Sequence, residues 1–528
     1  MDAATSTPAT LDDASEGAPE VSARQRAILL VSILIVASCG IVYELIIGTV
    51  SSYLLGNSVY QFSLTIGFFM FAMGIGSYLS RFVMGRLIEG FIAIELALAF
   101  VGGLCSISLF LLFPVAPWFY TAAQFGFIFV IGILVGLEIP VLTRVLERGS
   151  TTRESLSDVL SLDYIGALGG SVLFPILLLP SLGLITASFA VGLVNAAVAL
   201  FNVIWLREHL RRPKLALGIV LGVIAALVAL TAFASRITSF AQDHLFFDRI
   251  VFRQTTPYQT LVATNQWQSG DLRLFIDGHL QFSQRDEYRY HEALVHPVMR
   301  AGAPAKSVLV LGGGDGLAVR EILRHPSVER IDLVDLDPAM TRLGQEFGPL
   351  VRLSGDSLSS PKVHLFNADA FVFVRDCERR YDRVIIDFPD PHSEALSKLY
   401  ATEFYAMLSA CMSEGAAVVS QSSSPFFARG TFWTVGETMA GVFSDMTPFN
   451  ISIPSFGVWG FHLAHKGADG GERQPWPEGL LFMTPDTWRA AQVFPRDIAR
   501  PEGLEANSIF NPVLYQVYAR DLRAPAPR

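Results

Sequence analysis

Seven long apolar runs fill the first half of this chain: 27–50, 61–80, 90–113, 118–140, 164–182, 183–206 and 215–234. Crossing the hydrocarbon of a bilayer takes roughly 20 apolar residues in a helix. A water-soluble bundle would have to bury all of these runs at once, which demands a very large core. The expectation is therefore an α-helical multi-pass membrane domain over 23–235, with about seven helices in contact with the lipid bilayer. The run 164–182 is the weakest, being glycine-rich and broken by Pro175 and Pro180. Residues 1–22, rich in Ala, Ser, Thr, Pro and acids, read as a disordered tail. No small-residue cleavage pattern marks the first run as a removable signal. Inside the runs, Glu44 and Glu95 stand out. An intramembrane carboxylate is costly and often functional; the plainer reading is a carboxylate near an interface or paired with a neighbouring hydroxyl.

Only 16% of the residues are charged, and the net charge of −9 argues against nucleic acid as a partner. The four cysteines, Cys39, Cys105, Cys377 and Cys411, lack metal-ligand spacing and suggest no disulfide framework.

The chain changes character after Arg236. Leu272, Leu274 and Ile276 alternate with polar neighbours before Asp277-Gly278, which reads as a strand and tight turn within a small β-strand subdomain over 236–305. From Lys306 an apolar strand meets Gly312-Gly313-Gly314-Asp315-Gly316. A helical pattern with Val319, Ile322 and Leu323 on one face follows, then a second strand ending at Asp335. This is a βαβ unit with its glycine turn at the ligand edge. Further strands at 363–366, 383–386 and 416–419 extend it into a mostly parallel, doubly wound sheet over 306–528. Asp335, Asp369 and Asp387 each end or follow a strand at that edge.

The dinucleotide fingerprint is not met, because Leu317 stands where a third glycine or alanine belongs. Asp315 inside the loop would also repel a pyrophosphate. The pattern instead suits a nucleoside without phosphates that carries a positive charge near Asp315, such as an S-adenosyl sulfonium compound. Asp335 stands where such units hold a ribose hydroxyl pair. The plain alternative is a generic βαβ turn. His291 and His296 are five residues apart, so they do not share a helix face as a zinc helix requires, and no metal site is read there.

Taken in order, Pro257-Tyr258-Gln259, Asp277-Gly278-x-x-Gln281, Arg285-Asp286-Glu287-x-x-Tyr290-His291-Glu292, the glycine loop, Asp335, Asp369 and Asp387-x-x-Asp390-Pro391 resemble the spermidine synthases, the polyamine aminopropyltransferases. The resemblance runs from about Phe252 to about Ala464, and the membrane half resembles the multi-pass region of some bacterial members. It implies an α/β Rossmann-like domain of S-adenosylmethionine methyltransferase type. It implies transfer of an aminopropyl group from decarboxylated S-adenosylmethionine, a co-substrate, to putrescine, giving spermidine and methylthioadenosine with no cofactor or metal. Gln259, Asp335, Asp369 and Ala370 would hold the adenosine part. Asp315 and His291 would contact the aminopropyl or polyamine chain, Asp387 would be the general base, and Asp390 would bind the amine. The resemblance is also compatible with a homo-oligomer.

Elementary chemistry agrees with those roles. Both substrates are cations, which a ring of aspartates attracts. The attacking amine must first lose a proton, and a carboxylate at the reacting end can take it. The chain departs from the family at Phe388-Pro389, where hydroxyl residues are usual, at His392-Ser393-Glu394, where Ile-Gly-Pro usually follows, and at Phe456, where Tyr is common. These changes bear on the acceptor. An S-adenosylmethionine-dependent methyltransferase and a membrane polyamine transporter or sensor with a non-catalytic synthase-like domain are the competing readings.

Arg24 and Arg26, then Arg81 and Arg86, then Arg144, Arg148 and Arg153, then Arg207, Arg211, Arg212 and Lys214 mark alternate loops. The positive-inside rule puts the N-terminus in the cytoplasm, and seven full spans would carry the C-terminal domain outside. Its nucleoside donor is expected in the cytoplasm. The expectation is a cell-membrane protein with a cytoplasmic catalytic domain, in which one segment, 164–182 being the candidate, does not fully cross.

Overall fold

The computed structural model describes residues 22–55, 58–147, 152–246, 248–467 and 473–523. The tail expected over 1–22 lies outside them except for Ser22. The chain divides into two compact units, Met1–Leu245 and Phe246–Arg528.

The first unit is a bundle of α1 (Ala23–Leu55), α2 (Ser58–Leu79), α3 (Leu87–Val115), α4 (Pro117–Leu146), α5 (Thr152–Leu173), α6 (Leu179–Trp205) and α7 (Pro213–Phe246). Six helical stretches among the described residues are long and apolar enough to cross a membrane, one of them the 53-residue stretch Arg153–Trp205. That stretch is two rods. A π turn over Phe174–Leu178 and a backbone break at Gly183, with φ of 68°, separate them. Along α5, Asp158 pairs with Arg26 at 2.9 Å and the Gly166 carbonyl accepts from Ser38 Oγ at 2.7 Å, so α5 runs with α1. Along α6, Asn202 Nδ2 donates to Ser32 Oγ at 3.0 Å. Ser188, fourteen residues earlier in the same helix, donates to the carbonyl of Gly102, against which the Tyr43 ring lies. The second rod therefore runs back against α1. The segment 164–182, expected to stop short, is the last part of α5, the π turn and the start of α6, and α5 lies along α1 from Arg26 to Ser38.

Small residues let these rods approach. A Cβ at Gly136 would strike the Met73 backbone of α2, and one at Gly192 would come 2.7 Å from the Ala99 carbonyl of α3. Such contacts replace hydrophobic burial as the source of helix association where the surroundings are themselves apolar.

The second unit begins with an antiparallel sheet in the order β1 (Arg249–Thr255), β2 (Thr260–Asn265), β3 (Leu272–Ile276), β4 (His279–Ser283). Asp277 and Gly278 both take positive φ between β3 and β4, as a two-residue hairpin turn requires. Helix α8 (Glu287–Met299) leads to a seven-stranded sheet of β5 (Ser307–Gly312), β6 (Arg330–Asp335), β7 (Val363–Asn367), β8 (Tyr381–Asp387), β9 (Met412–Gln421), β10 (Ser444–Ile453) and β11 (Gly457–His465). Their order is β10-β11-β9-β8-β5-β6-β7, with β5 to β9 parallel and β11 antiparallel to both its neighbours. Both faces of the sheet are covered. Val308, Val310, Ile331, Leu333 and Ile385 belong to one core, while Leu309, Leu311, Val334, Val384 and Ile386 belong to the other. That is why these strands read as continuous apolar runs rather than alternating ones.

Candidate active site

The parallel register brings the site together. Gly312 at the end of β5 stands opposite Asp387 at the end of β8, and Asp335 ends β6 alongside. The glycine loop then lies against these two carboxylates. A Cβ at Gly312 would strike the Asp387 carbonyl, one at Gly313 would come 3.3 Å from Asp387 Oδ2, and one at Gly314 would come 2.5 Å from Asp335 Oδ2. Gly312, Gly313 and Gly316 also take positive φ, which side-chain-bearing residues rarely adopt. Glycine is needed here because two acids crowd the backbone.

Asp387 Oδ1 accepts a 2.5 Å hydrogen bond from the Tyr290 hydroxyl on α8. Burial, reinforced by the nearby Asp315 charge, raises the Asp387 carboxyl to about 6, although His291 and the Tyr290 bond pull the other way. Asp315 opens α9 (Leu317–Ile322), accepts from the Leu317 N–H at 2.9 Å, and is raised by burial. His291 places Nδ1 against the Glu287 carboxylate at 2.8 Å. Burial pulls its pKa down, but the Glu287 hydrogen bond and charge, with Asp315 and Asp387, outweigh burial and raise it. Glu287 is in turn gripped by both terminal nitrogens of Arg320 at 2.9 Å, a bidentate pair that fixes the orientation of the imidazole.

On the other side of Asp387, Asp390 Oδ2 accepts from Ser423 at 3.0 Å and from Tyr518 at 3.1 Å. Its Oδ1 is buried and has no hydrogen-bond partner. A buried carboxylate oxygen left open is costly unless a donor fills it. Beyond it, the His392 ring stacks on His279 of β4, with centroids 5.3 Å apart.

The sequence-predicted donor residues lie along the same edge. Asp335 Oδ2 accepts from Gly314 N–H at 3.1 Å and Oδ1 from Asp337 N–H at 2.9 Å, and burial raises it to about 6. Gln259 sits in the β1–β2 turn, where its backbone is tied to Thr256, whose hydroxyl reaches Asp337 at 2.7 Å. Asp369 caps the helix Ala370–Arg375 by accepting from Phe371 N–H, and its other oxygen pairs with Lys398 at 2.9 Å. Ala370 is buried at the first turn of that helix. The site thus gathers Asp315, His291, Asp387 and Asp390 in one cluster, with Asp335 along its glycine loop and Asp369 at the next strand end but one.

The motif contains Tyr290 but gives it no role, and Lys398, Ser423 and Tyr518 lie outside every motif. Other motif residues prove structural. Glu292 accepts from the N–H groups of Leu481, Phe482 and Met483, and Asp286 holds Ser455. His296 faces away from His291 and bonds Glu321 and His325 instead.

Known proteins resemble the chain closely. Residues 287–470 match the family described as Spermine/spermidine synthase domain. A polyamine aminopropyltransferase of Leptospira interrogans is 44% identical over 93% of this chain and 98% of its own. Polyamine aminopropyltransferase 1 of Ralstonia nicotianae is 42% identical over 96% and 98%, and that of Streptomyces coelicolor 39% identical over 94% of each chain. A crystal structure of a spermidine synthase in complex with the transition state analogue AdoDATO is 24% identical, with a TM-score of 0.44, over 47% of this chain and 86% of that one. At identities of 39–44% over nearly the whole length, the N-terminal helical half included, this chain belongs to the spermine/spermidine synthase family.

Proposed function

We propose that the C-terminal unit transfers the aminopropyl group of decarboxylated S-adenosylmethionine to putrescine, releasing spermidine and methylthioadenosine. The observation that carries this reading is the Asp387 carboxylate, held by Tyr290 at 2.5 Å, with the glycine loop on one side and the open oxygen of Asp390 on the other.

In this reading Asp335 takes the ribose hydroxyl pair, with Gln259, Asp369 and Ala370 along the adenosine. Asp315 and His291 line the path of the aminopropyl chain. The open Asp390 oxygen receives the distal ammonium of the acceptor, and Asp387 faces the near one. Asp387 takes a proton from the near ammonium. The freed nitrogen lone pair attacks the methylene beside the sulfonium, the C–S bond breaks, and its electrons neutralise the sulfur to give the thioether. An unperturbed alkylammonium has a pKa near 10, so only about one molecule in a thousand is free amine at neutral pH. A carboxylate raised towards neutrality is a better base than an ordinary aspartate. Full-length protein given both substrates should release methylthioadenosine and spermidine in equal amounts; failure to release methylthioadenosine would remove the reading.

The N-terminal unit is proposed to span the cell membrane. Seven full crossings would put the N-terminus and the exit of α7 on opposite faces, whereas six would put them on the same face. The catalytic unit is assigned to the cytoplasm because its nucleoside donor is made there. With seven full crossings this assignment would set the basic loops on the outer face, against the positive-inside preference; a segment that stops short keeps the N-terminus and the catalytic unit both in the cytoplasm. A reporter fused after Arg528 that works only outside would reverse it.

A further inference from the structure

The bundle carries polar groups that aminopropyl transfer does not use. Glu95 of α3 and Glu138 of α4 are buried on two helices that pack together, and each carboxyl acts on the other. Neither Glu95 oxygen meets a donor, and Glu138 Oε1 meets none either. Two carboxyl groups can bond only if a proton or another donor cation sits between them. Cys39 and Tyr43 of α1 and Asp163 of α5 also feel this pair, and α2 brings no carboxyl, amine or thiol.

Asn195 of α6 supplies an independent observation. It is wholly buried, and neither its Oδ1 nor its Nδ2 has a partner. Helices α3 and α6 run antiparallel, with Ser188 at Gly102 and Gly103 and Gly192 at Ala99. Continuing that register by one turn sets Asn195 opposite Glu95. Among the described residues, the arginines of the unit sit at the rod ends and in the loops, and none is paired with Glu95 or Glu138. An uncompensated carboxylate pair in an apolar bundle is strongly unfavourable.

We propose that Glu95, Glu138 and Asn195 form a cation site in the membrane unit that takes a protonated primary amine. An alkylammonium offers three N–H donors and no acceptor. These meet one oxygen from each of the three side chains. A lone proton would bridge the carboxyl groups and leave the Asn195 carbonyl empty. The alkyl chain of the amine would lie among Val36, Val42, Ile46 and Leu98 of the surrounding core. Binding exchanges one proton of the pair for one ammonium, so charge balances. The proposal does not depend on the transfer reaction of the second unit.

The test uses the full chain in lipid nanodiscs with radiolabelled n-butylamine, a monoamine whose single ammonium leaves no second charge in the apolar core. Wild type should bind two amines per chain, one in each unit. Glu95→Gln combined with Glu138→Gln should lose one of them and keep methylthioadenosine release. Asp390→Asn should weaken the other. Glu138→Gln alone keeps one carboxylate and should weaken the bundle site by roughly tenfold to a hundredfold without unfolding the bundle. In wild type, calorimetry in two buffers of different ionisation enthalpy should show proton release accompanying the binding that survives Asp390→Asn. A single amine per chain, lost with Asp390→Asn and untouched by the glutamate variants, would overturn the site, as would binding without proton release. Absence of methylthioadenosine release by wild type would instead count against the transferase reading, whatever the stoichiometry.

Discussion

The Tyr290 hydroxyl points its hydrogen at Asp387 Oδ1 from one turn into α8, across 2.5 Å and 97 positions of sequence. The bond favours the charged carboxylate and opposes the upward push of burial and Asp315. Tyr290→Phe removes that opposition. The acid limb of kcat/KM, set near pH 6 by Asp387, should therefore move to higher pH, with the rate above about pH 8 little changed. A pH profile of both proteins checks this; an unmoved limb would show that another group sets it.

Asp387→Asn should lower kcat by about 10²–10⁴, the usual value of general-base help, while donor affinity measured by calorimetry stays near wild type. The same change should stabilise the fold at neutral pH. A carboxyl whose folded pKa is about 6 holds its proton where the unfolded chain has already released it, so its ionisation destabilises the fold as pH rises from about 4 to about 6. The variant should thus be more stable than wild type at pH 7, by up to about 3 kcal/mol, and the gap should close by about pH 4. A strand-end cap with no catalytic part would give the opposite pair of results: normal turnover per folded molecule and lower stability.

Asp390→Asn should raise the KM for putrescine with a smaller effect on kcat. Its open oxygen is proposed to bind a cation that is present in both the ground and transition states. Steady-state kinetics against each substrate separates this from a base. An unchanged putrescine KM would place the distal ammonium elsewhere.

Gly313→Ala should harm the protein twice. The backbone there has φ of 67°, and the new methyl would stand 3.3 Å from Asp387 Oδ2. Left-handed backbone alone costs roughly 1–2 kcal/mol for a residue with a Cβ. The methyl also occupies space beside the base, so kcat/KM should fall further than the loss of folded protein accounts for. Comparing active-site-titrated kcat with thermal stability distinguishes the two effects.

The rods and the ligand edge were legible because each rests on a local pattern. Apolar runs of bilayer length announced the helices, and a glycine cluster between apolar strands announced the turn. Asp335 and Asp387 could be read because strand ends carry their own signal. Tyr518 and Ser423 could not, since they reach Asp390 from 128 and 33 residues away, and nothing near them hints at a partner. Lys398 lies closer in sequence to Asp369 but belongs to a short irregular turn without periodicity. Glu138 carries the same local signal as Glu95, a carboxylate inside a long apolar run, here 118–140. Strand β10 carries little local signal, since Pro448 interrupts it and its alternation is weak.

The pairing of Gly312 with Asp387 separates two design problems. Neighbouring strands keep about 4.8 Å between them whatever their loops do. The distance from donor loop to base is thus inherited from the sheet, as rigid as the core beneath it. On the proposed reading, acceptor choice would fall to the segment 388–392 and to the hairpin that carries His279, whose ring stacks on that of His392. Libraries confined to those two segments could retune which amine is elongated while the transfer step keeps its geometry.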